Sequence, residues 1–197
     1  SIYFTAGEAE SLTSYLSRGL IQFDLSSIPS NATVNSVTLT LTESNIKQHL
    51  NDRIFRLYRV LRAWLEGTRD FVVDDPPTGA TWIRYDTTNN WQTAGCAGAN
   101  DREVTDIGNA LVPTSLSNGQ TQDFVLTASK VQEWLNGTLI NNGVLVQADT
   151  ELDDRHLFWS SDNATAAYRP KLVVTYLLLG NSKSGLLHNP IQYGQGF

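Results

Sequence analysis

The residues that could support catalysis are few, and none has the spacing that a particular chemistry requires. His49, His156 and His188 are far apart in the chain, and no two have the spacing of metal ligands. Cys96 is the single cysteine, so no disulfide can form within the chain. There is no G-x-S-x-G motif and no phosphate-binding loop, and paired carboxylates are too common in an acidic protein to indicate a glycosidase. We therefore expect a protein that is not an enzyme.

Two groups of acidic residues could bind calcium, because Ca²⁺ takes oxygen ligands from closely spaced carboxylates and carbonyls. Neither group has the spacing of a helix–loop–helix calcium loop, and solvated loop acids are the favoured interpretation. We expect no cofactor, with structural calcium as the alternative. The two groups are Asp70, Asp74 and Asp75, and Asp149, Glu151, Asp153 and Asp154.

Aromatic residues in an irregular stretch are candidates for carbohydrate binding, since the C–H faces of sugars stack on aromatic rings. Residues 69–96 are rich in Gly, Pro and Asp and contain Trp82, Tyr85 and Trp91. Long loops often carry function, so these three are the candidate glycan-binding residues. The favoured alternative is that they pin the loop.

The remaining tryptophans are expected in the core. Trp134 lies on the apolar face of a predicted helix, and Trp159 lies in a predicted strand. Trp64 is expected to pack the loop that follows the strand predicted at residues 53–60. Three glycosylation sequons, at Asn31, Asn136 and Asn163, are compatible with chance and are kept as candidate sites.

The elements that position these residues are organised around residues 18–42. Residues 21–25 and 37–42 alternate apolar and polar side chains, which predicts two half-buried strands joined by a polar connector containing Pro29. A further strand is predicted at residues 53–60, with its arginines facing outward.

One helix is predicted at residues 128–135. Val131, Trp134 and Leu135 form a single apolar face, Thr127 or Ser129 can cap the start, and Gly137 ends the helix. Roughly eight short strands and this helix predict an all-β fold, an antiparallel jelly-roll β-sandwich with one short helix and a long irregular insertion. The further predicted strands are residues 1–5, 122–127, 144–148, 157–160 and 171–176.

Composition limits the partners. Twenty Asp and Glu against fourteen Lys and Arg give a net charge of −6, which argues against nucleic acid. No apolar run approaches the ~18 residues needed to span a bilayer, so membrane insertion is not expected. A single cysteine fits an extracellular, cell-surface or virion-surface protein of a bacterium, archaeon or virus. Without an initial methionine or a signal peptide, we expect a processed product or a piece of a longer protein.

Four stretches in this order resemble one family. They are RGLIQFDLSSIPSNATVNSVTLTL (18–41), LYRVLRAWLEGT (57–68), VQEWLNGT (131–138) and SSDNATAAYRPKLVVTY (160–176), with GATW (79–82) between them. Together they are similar to the DNRLRE domain, also called disaggregatase-related, a jelly-roll module. The resemblance covers about residues 1–176. It implies a non-catalytic extracellular module, of the kind found in secreted, cell-surface and phage structural proteins and among carbohydrate-binding modules, and it supplies no catalytic residue.

Both ends differ from that family. Its members usually open with a strand ahead of the one matching residues 1–5, so we expect an unfilled edge there. Residues 177–197 form an apolar tail with one charge, Lys183, and we expect it to contact a neighbouring subunit by strand addition or groove filling. The alternative is that the tail folds back on its own sheet. The candidate contact residues are Leu177, Leu178, Leu179, Leu186, Leu187, Ile191, Tyr193 and Phe197.

These patterns favour a non-catalytic structural subunit of an extracellular or virion surface assembly such as a fibre, sheath or decoration, with glycan binding as an added capacity. Its partners would be copies of itself or neighbouring subunits. The first alternative is a carbohydrate-binding module that tethers an enzyme or a cell to polysaccharide. The second is a polysaccharide-active enzyme.

Overall fold

A computed structural model of the chain describes residues 3–9, 15–44, 51–67, 78–151, 155–178, 187–193 and 195–196. Among these residues, no helix is long and apolar enough to cross a membrane. The strands are β1 (Tyr3–Ala9), β2 (Tyr15–Ser17), β3 (Gly19–Gln22), β4 (Ala32–Thr42), β5 (Arg53–Arg59), β6 (Gly108–Val112), β7 (Thr121–Leu126), β8 (Val144–Ala148), β9 (Arg155–Trp159), β10 (Lys171–Leu178), β11 (Leu187–Tyr193) and β12 (Gln195–Gly196). The helix α1 spans Ala128–Leu135, and one turn of 3-10 helix spans Ala166–Tyr168.

The strands form two packed antiparallel sheets with a short extension. The five-stranded sheet has the order β12-β3-β8-β5-β6, and the four-stranded sheet has the order β11-β10-β4-β7. A third group, β2-β1-β9, joins the end of β4 through a bridge between Glu43 and Phe158. Buried apolar side chains fill the space between the two sheets.

The order of strand pairing confirms the jelly-roll fold. Four antiparallel pairs are nested in sequence, with β5–β6 innermost, then β4–β7, β3–β8 and β1–β9. Successive pairs alternate between the two layers, which is the winding of a jelly roll.

The organising stretch contributes one strand to each sheet. β3 ends at Gln22, three residues before the predicted end, while β4 begins at Ala32, five residues before the predicted start. The connector crosses from one sheet to the other. It begins with a turn in which Asp24 Oδ1 accepts a hydrogen bond from the Ser26 N–H at 2.8 Å. Its apolar residues Phe23, Leu25 and Ile28 are buried, so the connector closes one end of the core.

Helix α1 has the predicted bounds and covers the sandwich beside β4. Gln132 holds it there, because Gln132 Oε1 accepts the Val34 N–H at 2.8 Å and Gln132 Nε2 donates to the Ala32 carbonyl at 3.1 Å. Val131 and Trp134 are buried as predicted. Gly137 ends the helix in the left-handed region, with φ of +70°, although no hydroxyl caps its start.

Replacing Trp134 with alanine should lower the free energy of unfolding by roughly 3–5 kcal/mol, because the ring is a buried part of the core. Urea denaturation measures this loss. Ile140→Ala is the control, since Ile140 lies just beyond the helix and is 74% exposed. Equal stability of the two variants would contradict the placement of Trp134.

Candidate functional site

The long insertion between β5 and β6 is a folded layer. Its described parts, residues 61–67 and 78–107, pack on the outer face of the five-stranded sheet. There, Leu20 of β3 and Leu145 of β8 join Val60, Trp91 and Cys96 in a second apolar cluster. The insertion therefore buries a sheet face that would otherwise be an exposed apolar surface.

Backbone hydrogen bonds give the insertion a defined shape. The Leu65 N–H donates to the Tyr85 carbonyl at 2.9 Å, and the Ala80 N–H donates to the Leu65 carbonyl at 2.7 Å. The Trp91 N–H donates to the Ile83 carbonyl at 3.0 Å. These bonds bring distant parts of the insertion together, so its aromatic residues occupy fixed positions.

Asp101 organises the second half of the insertion from a fully buried position. Its carboxylate accepts the backbone N–H groups of Gln92, Thr93 and Gly98 at 2.9–3.1 Å. The guanidinium of Arg62 contacts the same carboxylate at 3.3 Å. Four donors compensate for the burial of this charge, which makes Asp101 a structural residue.

Arg18, between β2 and β3, connects the insertion to the segment that follows β8. Its guanidinium forms a bidentate pair with Glu151, with both N–O distances 2.8 Å, and donates to the Gly95 carbonyl at 2.6 Å. It also lies 4.9 Å from the centre of the Trp82 ring. Trp82 itself packs against Gly95, where φ is +75° and a Cβ atom would lie 2.6 Å from the ring.

The three candidate glycan-binding residues have different environments. Trp91 is 5% exposed, and its Nε1–H donates to the Thr81 carbonyl at 2.9 Å, so this ring pins the loop. Tyr85 packs edge-on against Trp91 and lies under the Arg62 guanidinium at 4.7 Å. Trp82 and Tyr85 are both partly exposed. A sugar contact stays a prediction for these two, whereas Trp91 has little surface to offer.

The prediction that all arginines of β5 face outward is wrong for Arg59. Its side chain is 2% exposed because it shares the inward face of β5 with Phe55 and Leu57. It pairs with Glu103 of the insertion and with Glu133 of α1, the latter at 2.7 Å. Although burial alone would raise the pKa of Glu103, the bond to Arg59 and the charges of Arg59 and Lys130 lower it. This cluster ties helix, sheet and insertion together.

A buried Glu43–His156 pair is the constellation closest to catalytic chemistry. The Glu43 carboxylate and His156 Nδ1 are 3.2 Å apart, and both side chains are fully buried. The imidazole stacks on Phe158 and meets Phe55 edge-on. Without solvent access, the pair links β4 to β9 inside the core. Sequence spacing could not reveal it, because 113 positions separate its members.

The expectation that Trp159 lies in the core is wrong. His156 and Phe158 are the residues of β9 that face the core aromatic cluster, so Trp159 lies on the opposite face, where it is partly exposed. Trp64 is only partly buried, packs against the second apolar cluster, and donates through Nε1 to the Asn142 carbonyl at 2.8 Å.

The tail lies on the edges of both sheets of its own chain. β11 pairs with β10, and β12 pairs with β3. Leu177 and Leu178, at the end of β10, are about 40% exposed. Leu187, Ile191 and Tyr193 lie in β11, while Leu179, Leu186 and Phe197 lie outside the described residues. This pairing matches the alternative of a tail that folds back; exchange between copies stays a prediction.

The edge beside β1 is only partly filled. β9 pairs with Tyr3–Gly7 on one side, and β2 pairs with residues 7–9 on the other. The tail does not add there, because its described partners are β10 and β3.

The sequons and acidic groups have mixed surroundings. Asn31 and Asn136 are exposed, whereas Asn163 is 9% exposed and its Oδ1 accepts the Thr165 N–H. Glu151 is engaged by Arg18, and the described residues contain no cluster of three or more groups that could hold a metal ion. Five of the acids named as calcium candidates lie outside the described residues: Asp70, Asp74, Asp75, Asp153 and Asp154.

Fold and pairing order define the protein as a jelly-roll β-sandwich module with a structured insertion. The sequence profile of the disaggregatase related repeat domain matches residues 1–174, so the chain belongs to that family. No curated protein sequence matches it. The match ends within β10, which places β11 and β12 beyond it.

Asp101→Asn should loosen the packing of the insertion, because the side-chain NH2 of the asparagine would face backbone N–H donors and leave at least one of them without an acceptor. We expect a loss of about 1–3 kcal/mol in stability. Cys96 reports the opening, since it is the only cysteine, is 2% exposed, and has a pKa raised to about 12 by burial and by Asp101. A thiol reagent at neutral pH should label the variant many times faster than the parent chain.

Asp123→Asn is the matched control, because Asp123 is exposed on β7 and accepts one hydrogen bond, from the Thr40 hydroxyl. Labelling rates that are the same for Asp101→Asn and Asp123→Asn would contradict the structural role of Asp101.

Proposed function

We propose that the chain is a non-catalytic structural module of an extracellular, cell-surface or virion-surface assembly, and that its C-terminal strands join neighbouring copies. One observation carries this proposal: a short segment after the family domain supplies an outer strand to each sheet. Strand addition at a sheet edge is a common way for one chain to bind another.

The tail closes one side of the sandwich. It passes from the four-stranded to the five-stranded sheet between Tyr193 and Gln195, so β11 and β12 link the outer edges of β10 and β3. Without the tail, β10 and β3 would present unpaired N–H and C=O groups on this side, and such edges are templates for association.

The outer position of β11 also limits further growth of the sheet. Pro190 lies within β11, opposite an irregularity of β10 between Leu172 and Val174. Proline lacks an N–H and is tolerated in outer strands and at bulges, where it discourages another strand from adding. An assembly built by tail exchange would therefore form a defined link between copies instead of an extending sheet.

Exchange uses the same contacts between chains that the fold-back uses within one chain. Residues 179–186 connect β10 to β11, and the exposed Leu177 and Leu178 stand at the start of this connection. If the connection extends, the tail of one copy can fill the edges of the next copy without loss of strand pairing, as in domain swapping.

Cysteine cross-linking tests the exchange directly. Thr175 and His188 are cross-strand partners of β10 and β11, so cysteines there lie within disulfide distance. In a Cys96→Ala background, Thr175→Cys and His188→Cys chains are refolded together and oxidised. Tail exchange predicts disulfide-linked pairs containing one chain of each kind.

The chain carrying both cysteines is the control for correct pairing. If that chain cross-links only internally, and the mixed chains give no linked pair, the exchange is excluded. Deleting residues 180–197 gives an independent reading: the truncated chain should lose assembly, and unchanged assembly size would also contradict the proposal.

A second function, polysaccharide binding by the insertion, is favoured by the surface around Trp82 and Tyr85. Two exposed aliphatic residues, Leu65 at 46% and Ile83 at 58%, lie beside these partly exposed rings. The hydrogen bonds of the insertion hold this patch in place, so a flat ligand would meet a preformed surface.

The double variant Trp82→Ala/Tyr85→Ala should lose retention by polysaccharide in affinity electrophoresis while keeping its melting temperature within a few degrees. Trp91→Ala is the contrasting control, since Trp91 is buried and should mainly destabilise the insertion. Retention unchanged in the double variant would place any sugar contact elsewhere.

A further inference from the structure

We infer that a second polysaccharide-binding site lies at Trp159 and Tyr168, on the outer face of the β9 extension. This site deepens the polysaccharide-binding candidate and is independent of tail exchange. Its two rings are nearly parallel, with an angle of 12° and centroids 6.2 Å apart.

The aromatic surface of this pair is partly open to solvent. At 6.2 Å, two nearly parallel rings are strongly offset, so each covers only part of its neighbour's face. Both side chains are accordingly partly exposed. The C–H bonds on one face of a pyranose ring carry partial positive charge and favour the electron-rich face of an aromatic ring. Two adjacent rings can contact successive sugars of a chain.

Polar groups at the edge of the rings can bind the hydroxyls of such a ligand. Asn118 Oδ1 accepts the Trp159 Nε1–H at 3.3 Å, which leaves the Nδ2 amide of the exposed Asn118 as a donor beside the ring. Within the described residues, neither Asn118 Nδ2 nor the Tyr168 hydroxyl has a hydrogen-bond partner. An aromatic surface with a few adjacent polar groups is the usual composition of a ligand site.

The loop that carries Tyr168 is preorganised. The Tyr168 N–H donates to the Thr165 carbonyl at 3.0 Å, and the Arg169 guanidinium donates to the Asn163 carbonyl at 2.7 Å. The Asn163 side chain accepts the Thr165 N–H at 2.8 Å. Little conformational entropy would be lost when a ligand binds to rings held in this way.

Charge favours a neutral polysaccharide. The loop contains one exposed acid, Asp162, and one base, Arg169, whose guanidinium is engaged by Asn163. The Asp162 charge also reaches Glu66 of the insertion, where burial and Asp162 together raise the pKa of the Glu66 carboxyl. The exposed carboxylate of Asp162 disfavours a uronate-rich chain, whereas it does not repel a neutral one.

Affinity electrophoresis in gels containing neutral polysaccharides (β-glucan, xylan, mannan) or anionic ones (alginate, pectate) tests the site. The parent chain should be retarded by at least one neutral polymer and not by the anionic ones. Tyr168→Ala should reduce this retardation at least tenfold in apparent affinity. Tyr168→Phe keeps the ring and should retain most of it.

Two controls separate this site from the insertion. Leu111→Ala removes an exposed aliphatic residue of β6 and should change nothing. If Trp82→Ala/Tyr85→Ala abolishes retention while Tyr168→Ala does not, the insertion binds and the second site is refuted. Absence of retardation by every neutral polymer refutes both sites, and retardation only by alginate or pectate refutes the neutral class.

Discussion

The five-stranded sheet is apolar on both faces, and the rest of the structure depends on covering both. Ile21 of β3 and Val146 of β8 face the four-stranded sheet, whereas Leu20 and Leu145, one position away, face the insertion. All four are at most 8% exposed. Burial of each face removes apolar surface from water, so the insertion contributes to folding as the second sheet does. The molecule is thus three layers deep where the insertion covers the sheet.

Charged residues lie at the boundaries between these layers. Asp101 connects the two halves of the insertion, Arg18 and Glu151 connect it to the sheet, and Arg59 connects sheet, insertion and helix. Each buried charge has several partners, which is the condition for tolerating it in a core. These charged residues therefore have structural roles. The groups that remain available to bind a partner are the sheet edges and the partly exposed aromatic rings.

The sequence predicts local structure well where a single periodicity dominates. The bounds of α1 and β8 follow from the spacing around Val131 and from the turn before Val144, and the family resemblance gives the fold. It fails where long-range packing decides. The expectation that Arg59 faces outward rests on the rarity of buried arginine, but Glu103 and Glu133 reach it from distant segments and pair with it. Likewise, nothing local shows which face of β9 Trp159 occupies.

Native-state hydrogen exchange of the insertion tests the three-layer account most directly. The amides of Tyr85, Trp91 and Gly95 donate to carbonyls within the insertion. If the insertion is an integral cover of the sheet, these amides should exchange only through openings whose free energy approaches that of the β8 amides. If they exchange at the rate of an unstructured loop while β8 stays protected, the insertion is not part of the cooperative fold and the account is wrong.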